Sequence, residues 1–331
     1  MELEHQQQQQ QLGCGKSAVV VPHGISLREP RLEDLEELSN MAYQTYAHYN
    51  KSVGIPIEVA FDSPQTAWTM LHLFITSSSR IGVVAVEESS GALLGAAFTT
   101  TGGEVSGVGP VFVDPTRQSK GVGKAMMQEL IRKAKLSNPR SIRLSQTATN
   151  TTSFSMYANL GFIPVEGWME FAGIVTPKNA VIANSAVGFS PLTGAKVCQM
   201  EEKDISACAK LHLEALGYDR EEELREAHQK GFSAWVVTQN DEIVAYTTGL
   251  NLLGHALAKS EEALVFLFTE VSQQHKSGRL PAIHVAGRLY PLLVQWFLAA
   301  KLKLLRVQWY MVMGFYQAPQ HSIVWCPGGQ H

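Results

Sequence analysis

One turn between a predicted strand and a predicted helix constrains the fold of this chain more than any other feature. The β-branched residues Val111 and Val113 predict a strand that reaches a proline-containing turn. Gly121 and Gly123 follow the turn. Apolar residues then recur at the spacing of an amphipathic helix that packs one face on a core, namely Met126, Met127, Leu130, Ile131 and Ala134. The chain therefore passes from strand to helix through a glycine loop.

This strand, loop and helix start together predict a binding site for an anion. Glycine has no Cβ, so the backbone at 121 and 123 can approach a ligand closely. The first amides of a helix lack intrahelical acceptors and lie at the positive end of the helix dipole, where they bind phosphate oxygens. Arg117, Lys120 and Lys124 add positive charge around the same turn. We expect a ligand rich in phosphate.

The spacing of the loop residues distinguishes between the known phosphate-binding motifs. Met126 stands where a dinucleotide-binding fingerprint needs its third glycine, and Ala125 follows Lys124 where a P-loop needs Ser or Thr. The pattern that is present, Gln118-x-x-Gly121-x-Gly123, resembles the Q/R-x-x-G-x-G/A motif of the GNAT N-acetyltransferase superfamily. In that family the loop holds the pyrophosphate of acetyl-coenzyme A (acetyl-CoA). On this motif alone, an ordinary glycine turn before a helix remains the alternative.

A second block makes the resemblance specific. Arg143-Leu144-x-Gln146 is followed by Asn150-x-x-Ser153-x-x-x-Tyr157-Ala158-x-Leu160-Gly161-Phe162. This resembles the second GNAT motif, in which an Asn and a helix-borne Tyr flank the pantetheine and thiol of the cofactor. The resemblance covers residues 25–172. It implies acetyl-CoA as cosubstrate, bound by Val111, Phe112, Val113, Gln118, Ser119, Lys120, Gly121, Val122, Gly123, Lys124, Asn150, Ser153 and Tyr157.

Two catalytic residues are expected from the same resemblance. The Tyr157 phenol donates a hydrogen bond to the coenzyme sulfur as negative charge develops there; the alternative is a core aromatic residue. Glu104 precedes the central strand, where GNAT members often carry a general base, although a solvated turn carboxylate is the alternative. Tyr46, His48 and Tyr49 are further candidates for the base. At pH 7 a lysine-like amine costs about 4.6 kcal/mol to deprotonate, so some group must offset that cost.

The helical stretch between Met41 and Ile75, interrupted at Gly54, Pro56 and Pro64, carries aromatic residues and histidines. They either line a substrate pocket or belong to the core and surface: Tyr43, Tyr46, His48, Tyr49, Trp68 and His72. After this stretch the runs 81–86, 93–100 and 105–113 alternate with turns and predict an antiparallel meander.

The length of 331 residues predicts two domains. We expect a disordered Gln-rich tail at 1–23, an acetyl-CoA-binding GNAT domain at 24–172, a linker at 173–195 and a degenerate GNAT-like domain at 196–331. The last part repeats the strand and acidic helix start of the first but has no glycine loop after Gly249, and its closing strands resemble those of tandem GNAT proteins. The predicted fold class is α/β (α+β), with a mixed, mainly antiparallel sheet flanked by helices in each domain.

Composition excludes several other classes of protein. A formal net charge of −3 gives no basic footprint for nucleic acid. The four cysteines form no metal-ligand or disulfide pattern, so no metal site is expected. No signal peptide or apolar run long enough to span a bilayer is present, so we expect no membrane partner and a cytoplasmic location. A monomer or a homodimer fits equally well.

The function predicted from the sequence is direct acetyl transfer from acetyl-CoA to an amine, a small molecule in preference to a protein. No Cys or Ser is arranged with His for a covalent step. A non-catalytic acetyl-CoA-binding sensor or scaffold is the alternative, and transfer of a longer acyl group also remains open.

Overall fold

The computed structural model describes residues 19–56, 59–229, 231, 233–249, 254–274, 279–319 and 324–326. In these ranges the helices are α1 (Leu35–Ser52), α2 (Pro64–Thr76), α3 (Val122–Ala134), α4 (Thr151–Asn159), α5 (Pro177–Val187), α6 (Ile205–Leu216), α7 (Glu221–Gln229), α8 (Glu261–Gln274) and α9 (Pro291–Ala299). The strands are β1 (Ile25–Arg28), β2 (Arg80–Glu87), β3 (Leu93–Thr100), β4 (Val105–Val113), β5 (Ser141–Thr147), β6 (Ile163–Ile174), β7 (Lys196–Gln199), β8 (Trp235–Gln239), β9 (Glu242–Thr247), β10 (Ala256–Ala258), β11 (Arg279–Ala286), β12 (Lys303–Gly314) and β13 (Val324–Cys326).

The chain divides into two compact units. The first contains the chain up to Leu144, then Thr149–Pro164 and Met311–Tyr316. The second contains Ser145–Ala148, Val165–Tyr310 and the chain from Gln317 onward.

The strands of the first unit lie in the order β1-β2-β3-β4-β5. Neighbours are antiparallel except for the parallel pair β4 and β5. Gly91 and Gly102 have φ of 74° and 92° in the turns before β3 and β4, a backbone conformation that glycine adopts without strain. The predicted meander is therefore confirmed, and the mixed, mainly antiparallel sheet is the one expected.

Helix α3 supplies much of the core of the first unit. Its side chains Met126, Met127 and Leu130 have no exposed surface, as the helical periodicity predicts. They pack in one cluster with residues of β2, β3 and β5 and with Tyr157 of α4. Met311, which comes from the far end of the chain, is fully buried in the same cluster.

Local sequence signals mark the starts of helices α1 and α2. Ahead of α1, the Arg31 amide donates to Asp34 at 2.7 Å, and Asp34 also pairs with Arg28 at 2.7 Å. Ahead of α2, the Ser63 side chain accepts from the Thr66 amide at 3.2 Å, with proline in the first turn, where its missing N–H costs nothing.

The second unit contains the sheet β13-β10-β9-β8-β7. It also contains β11 and most of β6 and β12, which belong to a separate sheet and are neighbours there in the order β12-β6-β11. After β7, the Glu201 amide donates to Asp204 at 2.9 Å, the same local structure that precedes α1. This recurrence agrees with the internal repeat in the sequence.

A buried ionic group lies on the strands β12-β6-β11. One carboxylate oxygen of Glu170 accepts from Arg306 Nε at 2.5 Å and from Gln308 Nε2 at 2.7 Å, and His284 Nε2 lies at 3.3 Å. Burial opposes ionisation of Glu170, but the charge of Arg306 and the hydrogen bond from His284 outweigh it and lower its pKa to about 2. Arg306 also donates to Thr147 at 3.2 Å.

The structure differs from the sequence-based description in three places. The predicted linker, 173–195, contains helix α5. From the sequence we expect two closing strands of the first domain at 162–165 and 168–171, whereas the structure has one continuous strand, β6, over Ile163–Ile174. Residues 311–316 group with the first unit although they lie at the far end of the chain. From the sequence we also expect a closing strand of the second domain at 322–325. Residues 1–18 of the predicted tail, and Ser322 and Ile323 of this strand, lie outside the described residues.

None of the helices in the described parts of the chain is long and apolar enough to cross a bilayer.

Candidate active site

The candidate site lies where β4 and β5 stop pairing. Their parallel ladder ends at the pair Val108↔Leu144. Beyond this pair β4 continues to Val113 with β3 on its other side, and β3 and β5 are its only neighbours among the described strands. Backbone groups of β4 on the β5 side therefore face a gap, where an extended ligand can pair with them as a strand would.

The glycine loop follows directly at the end of this open strand edge. Ser119 and Gly121 have φ of 62° and 82°, which turn the chain into α3. Gly121 is the N-cap residue, and the first helical hydrogen bond runs from the Ala125 amide to the Gly121 carbonyl at 3.0 Å. The amides of residues 122–124 precede that bond, so helix geometry gives them no acceptor.

The surroundings of Gly123 indicate whether a phosphate ligand fits the loop. Its φ is not left-handed, and a Cβ at this position would lie 3.5 Å from Val113 Cγ2 and 3.7 Å from Met156 Sδ, which are ordinary contacts. Neither packing nor backbone strain within the protein requires glycine here. The space that the missing Cβ leaves is the space that a pyrophosphate needs in order to reach the amides. The residues present therefore fit the phosphate part of acetyl-CoA.

Two of the three predicted cations remain available for such a ligand. Arg117 Nη1 pairs with Glu87 at 3.0 Å. Lys120 and Lys124 are exposed and form no ion pair with any described residue. The positive charge of the loop thus comes from these two lysines and the helix dipole.

Gln118 bonds to the strand that precedes the loop. Its Nε2 donates to the Val113 carbonyl at 3.1 Å. Val113 is among the residues predicted to bind acetyl-CoA, so a ligand that pairs with its carbonyl would have to share or displace this bond. In this structure Gln118 orders the loop.

Tyr157, on α4, is buried and lies in the core next to Phe162, with ring centroids 6.0 Å apart. Burial, and secondarily the nearby Tyr46, raise the pKa of the Tyr157 phenol. Because a raised pKa keeps the proton in place at neutral pH, this phenol can donate a hydrogen bond and cannot act as a base.

Asn150 and Ser153 meet at the start of the same helix. The Asn150 side chain accepts from the Ser153 amide at 3.0 Å, so it caps α4. The structure thus gives Asn150 a structural role as the N-cap of α4. Its predicted contact with pantetheine stays a prediction.

Helix α1 brings two of the predicted pocket residues to this region. Tyr46 acts electrostatically on Tyr157, and the Tyr49 hydroxyl lies 2.8 Å from the Thr149 hydroxyl, beside Asn150. Trp68 and His72 instead stack on each other along α2, with ring centroids 5.0 Å apart.

Glu104 lies before the first residue of β4. Along the strand, it is about 13 Å from the point where the gap opens. Its carboxylate is paired with Arg140 at 3.4 Å, and both side chains are 42% exposed. The assignment of Glu104 as general base stays a prediction, and this position does not favour it.

The first unit also has an open cleft of about 520 Å³ along α1. Four carboxylates line it, namely Glu33, Glu36, Glu37 and Asp114. Its negative charge makes it unsuitable for the pyrophosphate, which the glycine loop fits instead.

Comparison with a protein-family model decides what kind of domain carries this geometry. Residues 39–162 match the model of the acetyltransferase (GNAT) family. Residues 39–162 form a GNAT acetyltransferase domain. The match includes the glycine loop and the Asn150–Tyr157 block, so both sequence motifs lie inside it. GNAT domains use acetyl-CoA, which confirms at the level of the family the predicted cosubstrate and the predicted acyltransferase class.

Solved structures extend the likeness to nearly the whole chain. A candidate acetyltransferase from Pyrococcus horikoshii has a TM-score of 0.63 at 11% identity and covers 94% of this chain and 99% of its own. A GCN5-related N-acetyltransferase from Sphaerobacter thermophilus has a TM-score of 0.56 at 12% identity, covering 90% and 98%. At these identities the likeness shows the fold alone. No curated protein sequence matches the chain.

The sequence missed two residues at the gap, Thr45 and Thr149. Thr45 Oγ1 donates to the Val113 carbonyl at 3.4 Å, and Thr149 bonds to Tyr49. Neither threonine belongs to a motif, so only the packing of α1 across the gap could have revealed them.

Proposed function

We propose that the chain is an acetyl-CoA-dependent N-acetyltransferase that acts directly on an amine, and that the acceptor is a small molecule in the cytoplasm. The observation that carries the proposal is the gap between β4 and β5, with the glycine loop at its end. Tyr157 packs in the same core cluster as Val108 and Leu144, the last residues that pair before the gap. This arrangement supplies an open strand edge for the pantetheine arm, helix N-terminal amides for the pyrophosphate and a phenol that stays protonated.

Each part of the site has a distinct task in this proposal. Backbone groups of Val111 and Val113 pair with the pantetheine arm, and the amides of 119–124 bind the pyrophosphate with help from Lys120 and Lys124. Bound acetyl-CoA supplies a thioester-activated acetyl group. Tyr157 directs its O–H at the sulfur, where it stabilises the charge that develops as the acetyl group leaves.

The group that accepts the amine proton stays open. Tyr46, His48, Tyr49 and Glu104 are the candidates from the sequence, and the positions of Tyr46 and Tyr49 favour α1 over the start of β4. Because Tyr157 holds its proton, it is excluded as the base.

An assay of coenzyme A thiol release in the presence of an amine tests the proposal. Benzylamine, spermidine and alanine amide are supplied in turn to the full chain with acetyl-CoA. We expect thiol release that depends on both amine and enzyme, and loss of most of it in Tyr157→Phe. Binding of acetyl-CoA without turnover on any of the three amines would instead favour the sensor or scaffold.

A further inference from the structure

Two side-chain contacts fix helix α1 to both sides of the gap. At one side, Thr45 Oγ1 donates to the carbonyl of Val113, the last residue of β4. At the other, the hydroxyls of Tyr49 and Thr149 lie 2.8 Å apart, just after β5. Thr45 and Tyr49 are four residues apart and thus share one face of the helix. That face of α1 therefore crosses the gap.

Tyr46 lies between Thr45 and Tyr49 along α1, and it acts electrostatically on the buried phenol of Tyr157. Its ring packs edge-on against Phe61, with centroids 5.2 Å apart and planes at 79°. Tyr157 is buried, whereas the contact between Tyr49 and Thr149 is exposed. The Tyr49–Thr149 pair is therefore accessible from solvent.

The exposed hydroxyl pair has the chemistry that an attacking amine needs. An amine attacks through its lone pair, which must point at the acetyl carbonyl, so its N–H groups need acceptors on the protein. Each hydroxyl oxygen keeps acceptor capacity after the two have bonded to each other. A carboxylate would favour the protonated form of the amine. An uncharged hydroxyl oxygen orients the neutral amine without favouring protonation.

We propose that Tyr49 and Thr149 are the acceptor-binding pair, whose oxygens accept hydrogen bonds from the N–H groups of a neutral primary amine. The proposal rests on the proposed N-acetyltransferase function. It predicts that the two hydroxyls determine how well the amine binds and have no effect on acetyl-CoA. A purely structural role, in which the pair only fixes α1 to the turn after β5, predicts lower stability instead.

The test uses Tyr49→Phe, Thr149→Val and the double variant of the full chain, with whichever of benzylamine, spermidine and alanine amide the wild type acetylates. We expect the KM for the amine to rise about fivefold in each single variant, as expected for one lost hydrogen bond. The KM for acetyl-CoA should stay at its wild-type value. Thr69→Val, which removes an exposed hydroxyl from α2, is the matched control and should change neither KM.

The outcomes separate the two proposals. If the wild type acetylates an amine but the variants keep its KM, the acceptor-binding pair is refuted and the enzyme stands. A lower melting temperature with unchanged KM assigns the pair a structural role and also refutes it. If the wild type acetylates none of the three amines, the proposed function fails, and this inference fails with it.

Discussion

Replacement of Gly123 by alanine should change stability and cofactor binding in opposite directions. The position is helical, without left-handed φ, and the added Cβ meets Val113 and Met156 only at ordinary contact distances. Alanine restricts the unfolded chain more than glycine does, so we expect the free energy of unfolding to rise by about 0.4–1 kcal/mol. The same methyl group fills the space above the amides and should remove at least one charge-assisted hydrogen bond, worth about 1.5–3 kcal/mol.

The binding loss corresponds to an affinity for acetyl-CoA about 10- to 150-fold lower. Urea denaturation measures the first effect and calorimetric titration the second. Gly121→Ala is the contrasting variant, because its φ of 82° costs an alanine about 1–2 kcal/mol, so both stability and binding should fall. A Gly123→Ala protein that is more stable and binds acetyl-CoA as tightly as the wild type would refute the assignment of the loop to the pyrophosphate.

Three further predictions concern the phenol, the core and the buried ionic group. Tyr157→Phe should bind acetyl-CoA with unchanged affinity by calorimetry and lose at least tenfold in kcat, because the hydroxyl acts only as charge develops; an unchanged kcat contradicts its role. Met311→Ala should lower the free energy of unfolding by about 2–5 kcal/mol, since the side chain is fully buried in the core of the first unit, and a change below 1 kcal/mol in urea denaturation would disprove that packing. Because Glu170 has a folded pKa of about 2, below its ordinary value, its ionisation adds about 3 kcal/mol of stability above pH 5, which is lost as the pH falls through the folded pKa. Glu170→Gln should be less stable at pH 7, where it leaves Arg306 without its partner, and should have a flatter stability profile between pH 5 and pH 2; parallel profiles would contradict this assignment.

The elements of the first unit could be predicted because each one is specified locally. The strand runs 93–100 and 105–113 carry β-branched residues between glycine turns, and the apolar period of 126–134 predicts α3 directly. Helix α5 was missed in the predicted linker, although Thr176 caps it and Gly188 ends it with φ of 78°. Many turn-forming residues surround α5, and caps and turns use the same residue types. The cap signals of the helix could therefore not be distinguished from those of a linker.

The division of the chain into units could not be predicted from local signals. Residues 311–316 group with the first unit because the Phe315 amide donates to the Arg140 carbonyl at 2.9 Å and Met311 enters the core. Such contacts join positions more than 150 residues apart, and no periodicity in the sequence records them.

The candidate site, too, could be predicted only in part from the sequence. Motif spacing was enough to propose the loop residues and Tyr157, since their proposed tasks depend on local geometry at a single helix each. The acceptor side depends on how α1 crosses the gap, so Tyr46 and Tyr49 were only two of several aromatic candidates and Thr149 was not considered. Glu104 lies just before β4, as the sequence predicts, but its carboxylate is paired with Arg140 away from the gap, and only the structure shows this pairing.

Calorimetric titration of acetyl-CoA into the full chain tests the central claim most directly. The wild type is compared with the double variant Gly121→Glu, Gly123→Glu and with the control Gly102→Glu, Gly103→Glu, which places the same charges in the turn at the other end of β4. Gly102 has a φ of 92°, so the control carries a similar backbone strain. We predict one site per chain in the wild type and the control and none in the loop variant, whereas a folded wild type that binds no acetyl-CoA would contradict the account.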